Sequence, residues 1–218
     1  RGLPFKDWGI EPGANWDLNR TVVGPYHDLK DIYMQATANA YHDGESWAPG
    51  SAINYHVIGF NDVLLMAAEC EAQVGSLDQA EAYVNMIRNR AANPAGFVFT
   101  YADNSNPLAG FTTTPAANYH IGPYPPGAFT SQAYALKAIY FERKLELAME
   151  GHRIFDLVRW GIFSQEQQSI FAYESQYNTE PASVNLTPYQ NGCYPIPQAE
   201  IDISAVNGKA VLTQNPGY

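Results

Sequence analysis

Between Phe60 and Ala92, apolar residues return every three or four positions, and the pattern is interrupted once, at Gly75-Ser76. This constrains the fold more than any other feature. Two helices separated by so short a break can only reverse direction, which makes an antiparallel αα-hairpin. The first stripe reads Phe60, Val63, Leu64, Ala67, Ala68 and Val74; the second reads Leu77, Ala80, Tyr83, Val84 and Ile87, fading by Ala92 before Asn93-Pro94. Ser76 followed by Gln79 has the spacing of a capping box, in which each side chain satisfies the other's free backbone N–H. The small residues Ala67, Ala68, Ala72, Ala80 and Ala82 let the axes approach closely. A hairpin of this kind buries one face and leaves another in need of a neighbour, the logic of tetratricopeptide-type stacking. That architecture needs at least ~3 units. A single unit is visible here, and the others are expected upstream.

A third helix is expected over Ser131–Glu150, closed by Gly151 in a left-handed cap. Leu136, Tyr140, Arg143 and Leu147 share one narrow stripe, with Phe141, Leu145, Ala148 and Met149 opposite. The helix should therefore be sandwiched, and an arginine in a buried stripe must be paired. A short helix over Arg153–Trp160 should pack Ile154, Phe155, Leu157 and Val158, with Trp160 in the core, and stop at Gly161. Residues 1–59 read as an irregular arm with strand-like pieces at Arg20–Val23 and Tyr55–Ile58, residues 93–130 as a loop insertion, and residues 162–218 as an extended segment containing Tyr194-Pro195-Ile196-Pro197. The expected fold is one mainly α domain: a tetratricopeptide-like helical hairpin core, a long loop-rich region and a few short strands.

Charge and chemistry exclude several functions. Twelve basic against 22 acidic residues give a net charge of −10, a field that repels phosphate backbones, so no nucleic-acid partner is expected. No stretch reaches the ~18–20 apolar residues of a membrane span. Two cysteines, Cys70 and Cys193, cannot build a disulfide scaffold, and Cys70 reads as an inert packing residue. Glu142, Glu146 and Glu150 follow one another at i, i+4 and i+8 beside Arg143, Lys144 and Arg153. They point the same way from one helix instead of facing each other across a bond, so ion pairing is expected over glycosidic acid–base work. Glu150, Arg153, Asp156 and Arg159 read as a salt-bridge network joining the last two helices. The five histidines form no HExxH, and GxSxG, P-loop and GxGxxG motifs are missing, so neither a metal nor another cofactor is expected.

Four separated stretches carry a family resemblance: NYHVIGFNDVLLMAAECEAQVGSLDQAEAYVNMIRNRA, FERKLELAMEGHRIFDLVRWG, YPIPQAEID and the terminal LTQNPGY. In this order they resemble the C-terminal portion of the SusD/RagB family. One departure is Arg143-Lys144, where members commonly carry two arginines. The opening RGLPFKDWG, without Met or a signal segment, reads as a mature or excised piece. The resemblance implies an outer-membrane, cell-surface lipoprotein of polysaccharide utilisation, anchored through a segment absent from this chain. It implies a binding protein and not an enzyme, one that captures oligosaccharide and lids a SusC-like TonB-dependent transporter. The alternative is a peptide-binding or protein-docking scaffold whose aromatics are structural. Aromatic residues make up 13% of the chain, and those on loops suit sugar rings, whose C–H faces stack on Trp and Tyr. The candidate ligand-binding residues are Trp47, Tyr41, Tyr26, Trp8 and Trp16.

Overall fold

The computed structural model describes residues 3–4, 26–27, 30–31, 33, 37–45, 50–103, 105–116, 118–176 and 193–216. The chain divides into two compact units, residues 1–150 and 151–218. It is mainly α, with two small two-stranded antiparallel sheets among the described residues.

In the first unit, β1 (Leu3–Pro4) pairs with β2 (Tyr26–His27), and a one-turn helix α1 (Ala38–Tyr41) follows. The expected hairpin is α2 (Phe60–Val74) and α3 (Leu77–Ala92), with α4 (Gln132–Glu146) packed against both. The Ser76 side chain accepts from Gln79 N at 3.3 Å, as the sequence predicts. Its own N–H goes to Glu71 Oε2 at 2.9 Å, so the reciprocal half of the cap comes from the preceding helix. The core consists of Leu65, Ala68, Ala72, Ala80, Val84, Ile87, Phe129, Ala135, Ala138 and Ile139. With so many alanines, close approach of the axes replaces bulk. Leu65, Val84 and Ile139, each fully buried, contribute about 1.5–3 kcal/mol apiece.

The phase of α2 differs from the sequence reading. Its inward face is Asp62, Leu65, Ala68, Glu69 and Ala72, whereas Phe60 is 70% and Val74 92% exposed. Two acids occupy core positions, which an apolar count cannot register. Cys70 is likewise exposed and not a packing residue. The phase of α3 is as expected. Helix α4 ends at Glu146, before Gly151, because Met149 is already left-handed (φ 67°); Gly151 adopts φ 81° as anticipated. The second face of α4 is not sandwiched, as Phe141 is exposed; Met149, expected on that face, lies beyond the helix end and is also exposed. Residues 55–58 form no strand, and Arg20–Val23 lie outside the described residues.

The inward face of α4 changes chemistry along its length. Ala135, Ala138 and Ile139 are followed at the same helical spacing by Glu142, Arg143 and Glu146, all buried. Arg143, 4% exposed, donates to Asp62 Oδ1 of α2 at 2.8 Å. Glu142 pairs with Arg88 and Glu146 with Arg90, both from α3; Glu146 also accepts from Asn61 Nδ2 at 2.9 Å. The expected ion pairing holds, but these partners come from another helix and not from Arg143, Lys144 or Arg153.

Residues 93–130 are more ordered than a loop. Strands β3 (Phe99–Tyr101) and β4 (Phe111–Pro115) form an antiparallel hairpin in which Tyr101 stacks on Phe111 at 5.0 Å and the Thr100 and Thr112 hydroxyls meet at 2.5 Å. Beyond it, the chain is fastened to one row of α3. Asn85 accepts from Tyr124 N at 2.7 Å and donates to Tyr124 O at 3.0 Å, Arg88 Nε donates to Gly122 O at 2.6 Å, and Glu81 accepts from Phe129 N at 3.0 Å. Arg88 also lies over the Tyr124 ring at 4.5 Å.

In the second unit, α5 (Arg153–Arg159) buries Asp156 and Leu157 and leaves Ile154 and Phe155 exposed. Gly161 turns the chain with φ 70°. Trp160 is half-buried beneath the guanidinium groups of Arg159 (4.8 Å) and Arg153 (5.9 Å), not enclosed in core. The segment after it is not simply extended, since it forms α6 (Phe163–Glu174) and α7 (Gln198–Ile203). Gln214 then braces the Pro-rich stretch, accepting from Ile196 N at 2.7 Å and donating to Ile196 O at 2.8 Å.

Arg143→Leu should destabilise the protein by about 3–5 kcal/mol in denaturant unfolding, because Asp62 is left buried without its cation. Ser76→Ala, which removes only a cap, should cost about 1 kcal/mol. Burial, reinforced by the charge of Glu142, raises the pKa of Tyr124. The unfolded chain therefore loses this proton first as pH climbs, and stability should fall above about pH 10. Tyr124→Phe should remove that part of the fall in a pH series of unfolding curves.

Candidate functional site

In the aromatic arm, residues 41–43 and 50–52 come together as the neck of a loop. Ala52 N donates to Tyr41 O at 2.8 Å and Asp43 N to Gly50 O at 3.3 Å, while His42 and Ser51 form an antiparallel bridge. The Asp43 side chain accepts from Glu45 N at 3.1 Å, and Ser51 Oγ accepts from Ile53 N at 3.2 Å, bending the chain on either side. Tyr33 reinforces the neck from outside. Its hydroxyl donates to the carbonyl of the buried Gly50 at 3.2 Å, and its ring stands edge-on to His42 at 6.2 Å.

Of the five residues singled out by sequence, this loop carries two. Tyr41 ends α1 at the neck and is 45% exposed, which leaves ring surface available for contact. Trp47 falls in the loop's sequence, at a position outside the described residues, as do Trp8 and Trp16. Tyr26 is described only as a backbone partner of Pro4 in the β1–β2 pair. Tyr55, just past the neck, is 65% exposed and belongs with the candidates. The roles of Tyr33 and His42 were missed. Tyr33 is one aromatic among many in the sequence, and His42 was weighed only as a metal ligand.

No catalytic carboxylate pair emerges from the glutamate ladder, since Glu142, Glu146 and Glu150 each meet a cation: Arg88, Arg90 and Lys30 respectively. Of the four-residue network expected around Glu150, the Arg159–Asp156 pair is present at 3.0 Å, while Arg153 pairs with Glu166 at 3.1 Å and Glu150 with Lys30. Among the described residues, no cluster of three or more His, Cys, Asp or Glu could hold a metal ion, and no helix is long and apolar enough to cross a membrane. What the loop offers is aromatic surface on a braced frame, flanked by hydrogen-bonding groups.

The sequence signature of the SusD family matches residues 29–218. The chain belongs to the SusD family. The SusD-like protein P25 of Formosa agariphila is 32% identical over 166 residues, which cover 76% of this chain and 25% of that protein. The chain thus spans about a quarter of the length of the curated relative it matches. No solved structure matches it.

Proposed function

We propose that the chain is the C-terminal part of one SusD-like domain of a cell-surface, lipid-anchored outer-membrane protein. It captures oligosaccharide and passes it to a SusC-like TonB-dependent transporter. It acts by binding and not by catalysis. The observation carrying this reading is the braced 41–52 loop, with Tyr41 open at its neck and Trp47 in its sequence, inside a chain of the SusD family. A ring held on a rigid neck loses little freedom when a sugar stacks on it, so more of the contact energy is retained as affinity.

Charge narrows the ligand class. Of the twelve basic residues in the sequence, Lys30, Arg88, Arg90, Arg143, Arg153 and Arg159 are committed to ion pairs within the protein. An acidic protein whose described arginines are engaged internally suits a neutral saccharide, recognised by stacking and by its hydroxyls, better than a sulfated or uronic one. The second reading, a protein-docking scaffold, is favoured by the outward apolar row of α2, where Phe60, Val63 and Val74 are exposed.

Calorimetry of the intact protein against maltohexaose, cellohexaose, laminarihexaose and their acidic counterparts separates these readings. At least one neutral hexasaccharide should bind, and Tyr41→Ala or Trp47→Ala should weaken it about tenfold, the worth of one stacking contact, at unchanged melting temperature. Absence of saccharide binding alongside tight binding of a peptide would reject the glycan reading. A large fall in melting temperature for Trp47→Ala would make that ring structural.

A further inference from the structure

We propose that Lys30 is a positioning residue for the 41–52 loop, seating residues 30–33 on the C-terminal corner of α4 so that Tyr33 can fix the loop's neck. The purpose assigned to it rests on the ligand-binding reading above, while the fastening itself stands on geometry alone.

The last carbonyls of a helix have no partner within it, and its C-terminus carries partial negative charge, so a cation is favoured there. Lys30 Nζ takes that place, donating to Glu146 O at 2.6 Å, to Ala148 O at 3.0 Å and to the carboxylate of Glu150. An ammonium group, with three protons and no acceptor, suits such a cluster of oxygens. The seat itself is firmly held, because the Glu146 carboxylate is engaged by Arg90 and Asn61. Immediately afterwards the backbone turns through Asp31 at φ 57°, a left-handed conformation that aspartate tolerates better than most residues. Tyr33 then reaches Gly50 O with its hydroxyl and His42 with its ring edge. Three residues of chain therefore link the helical corner to the neck.

A global stabiliser and a local positioner differ in which amides they protect. In hydrogen exchange on the intact protein, the Asp43 and Ala52 amides report the neck and the Leu65 and Ile139 amides report the helical core. Lys30→Met should speed exchange at Asp43 and Ala52 about tenfold and leave Leu65 and Ile139 unchanged, and Lys30→Arg should restore protection. The same variant should weaken binding of whichever hexasaccharide the wild type takes, again restored by Lys30→Arg. Unchanged neck amides, or neck and core amides accelerated by the same factor, would overturn the proposal. If the wild type binds no saccharide, the ligand reading fails, and the exchange measurement still decides the role of Lys30.

Discussion

The structure of the first unit depends on the ion pair between Arg143 and Asp62. Both groups are almost fully withdrawn from water, which costs several kcal/mol per ion and is offset only when each finds the other in good geometry. That requirement fixes the axial register of α4 against α2. Alanine-rich surfaces such as Ala68, Ala72, Ala135 and Ala138 could slide past one another with little change in buried area. A guanidinium displaced by a turn from its carboxylate could not. Arg88 with Glu142, and Arg90 with Glu146, impose the same condition between α3 and α4, so three helices are keyed by charge at one end and packed by apolar contact at the other.

This division explains which parts of the structure the sequence reveals. Stops and caps are local, and they were legible: Ser76 accepting from Gln79, and Gly151 and Gly161 in left-handed conformations. The pairing of Arg143 was legible because an arginine in an apolar stripe has no other way to be buried. The inward face of α2 was not. That helix has apolar residues on two sides, and the side carrying Asp62 and Glu69 is the one turned inward, where Asp62 meets Arg143 from a segment distant in sequence. Helix α6 was missed for a related reason. None of its residues is buried, so its Gln- and Glu-rich sequence shows no stripe, and its helical tendency lies in propensity alone. The β3–β4 hairpin escaped because its loop is long and its strands are short.

The candidate site divides in the same way. Tyr41 was named as a candidate because it is an aromatic outside the helical stripes, and it is exposed. The bracing of the loop could not be read from the sequence, because it comes from Tyr33, eight residues before Tyr41, and from the far end of α4. Lys30 lies 116 residues from Glu146, and no local pattern announces a contact of that range.

The use of charge inside the fold also shapes what its surface can recognise. In a protein of net charge −10, Lys30, Arg88, Arg90, Arg143, Arg153 and Arg159 among the described residues are drawn into internal pairs. In the proposed oligosaccharide-binding role, affinity comes from groups indifferent to ligand charge, namely aromatic faces and amide or hydroxyl hydrogen bonds. Such contacts are individually weak and fall off sharply when a ring tilts, so they reward a frame that does not move. Keyed helices provide that frame at the α4 corner, and Lys30 ties the segment before the loop to it. On the proposed reading, the ionic register of the core and a preference for uncharged ligands follow from the same allocation of charge.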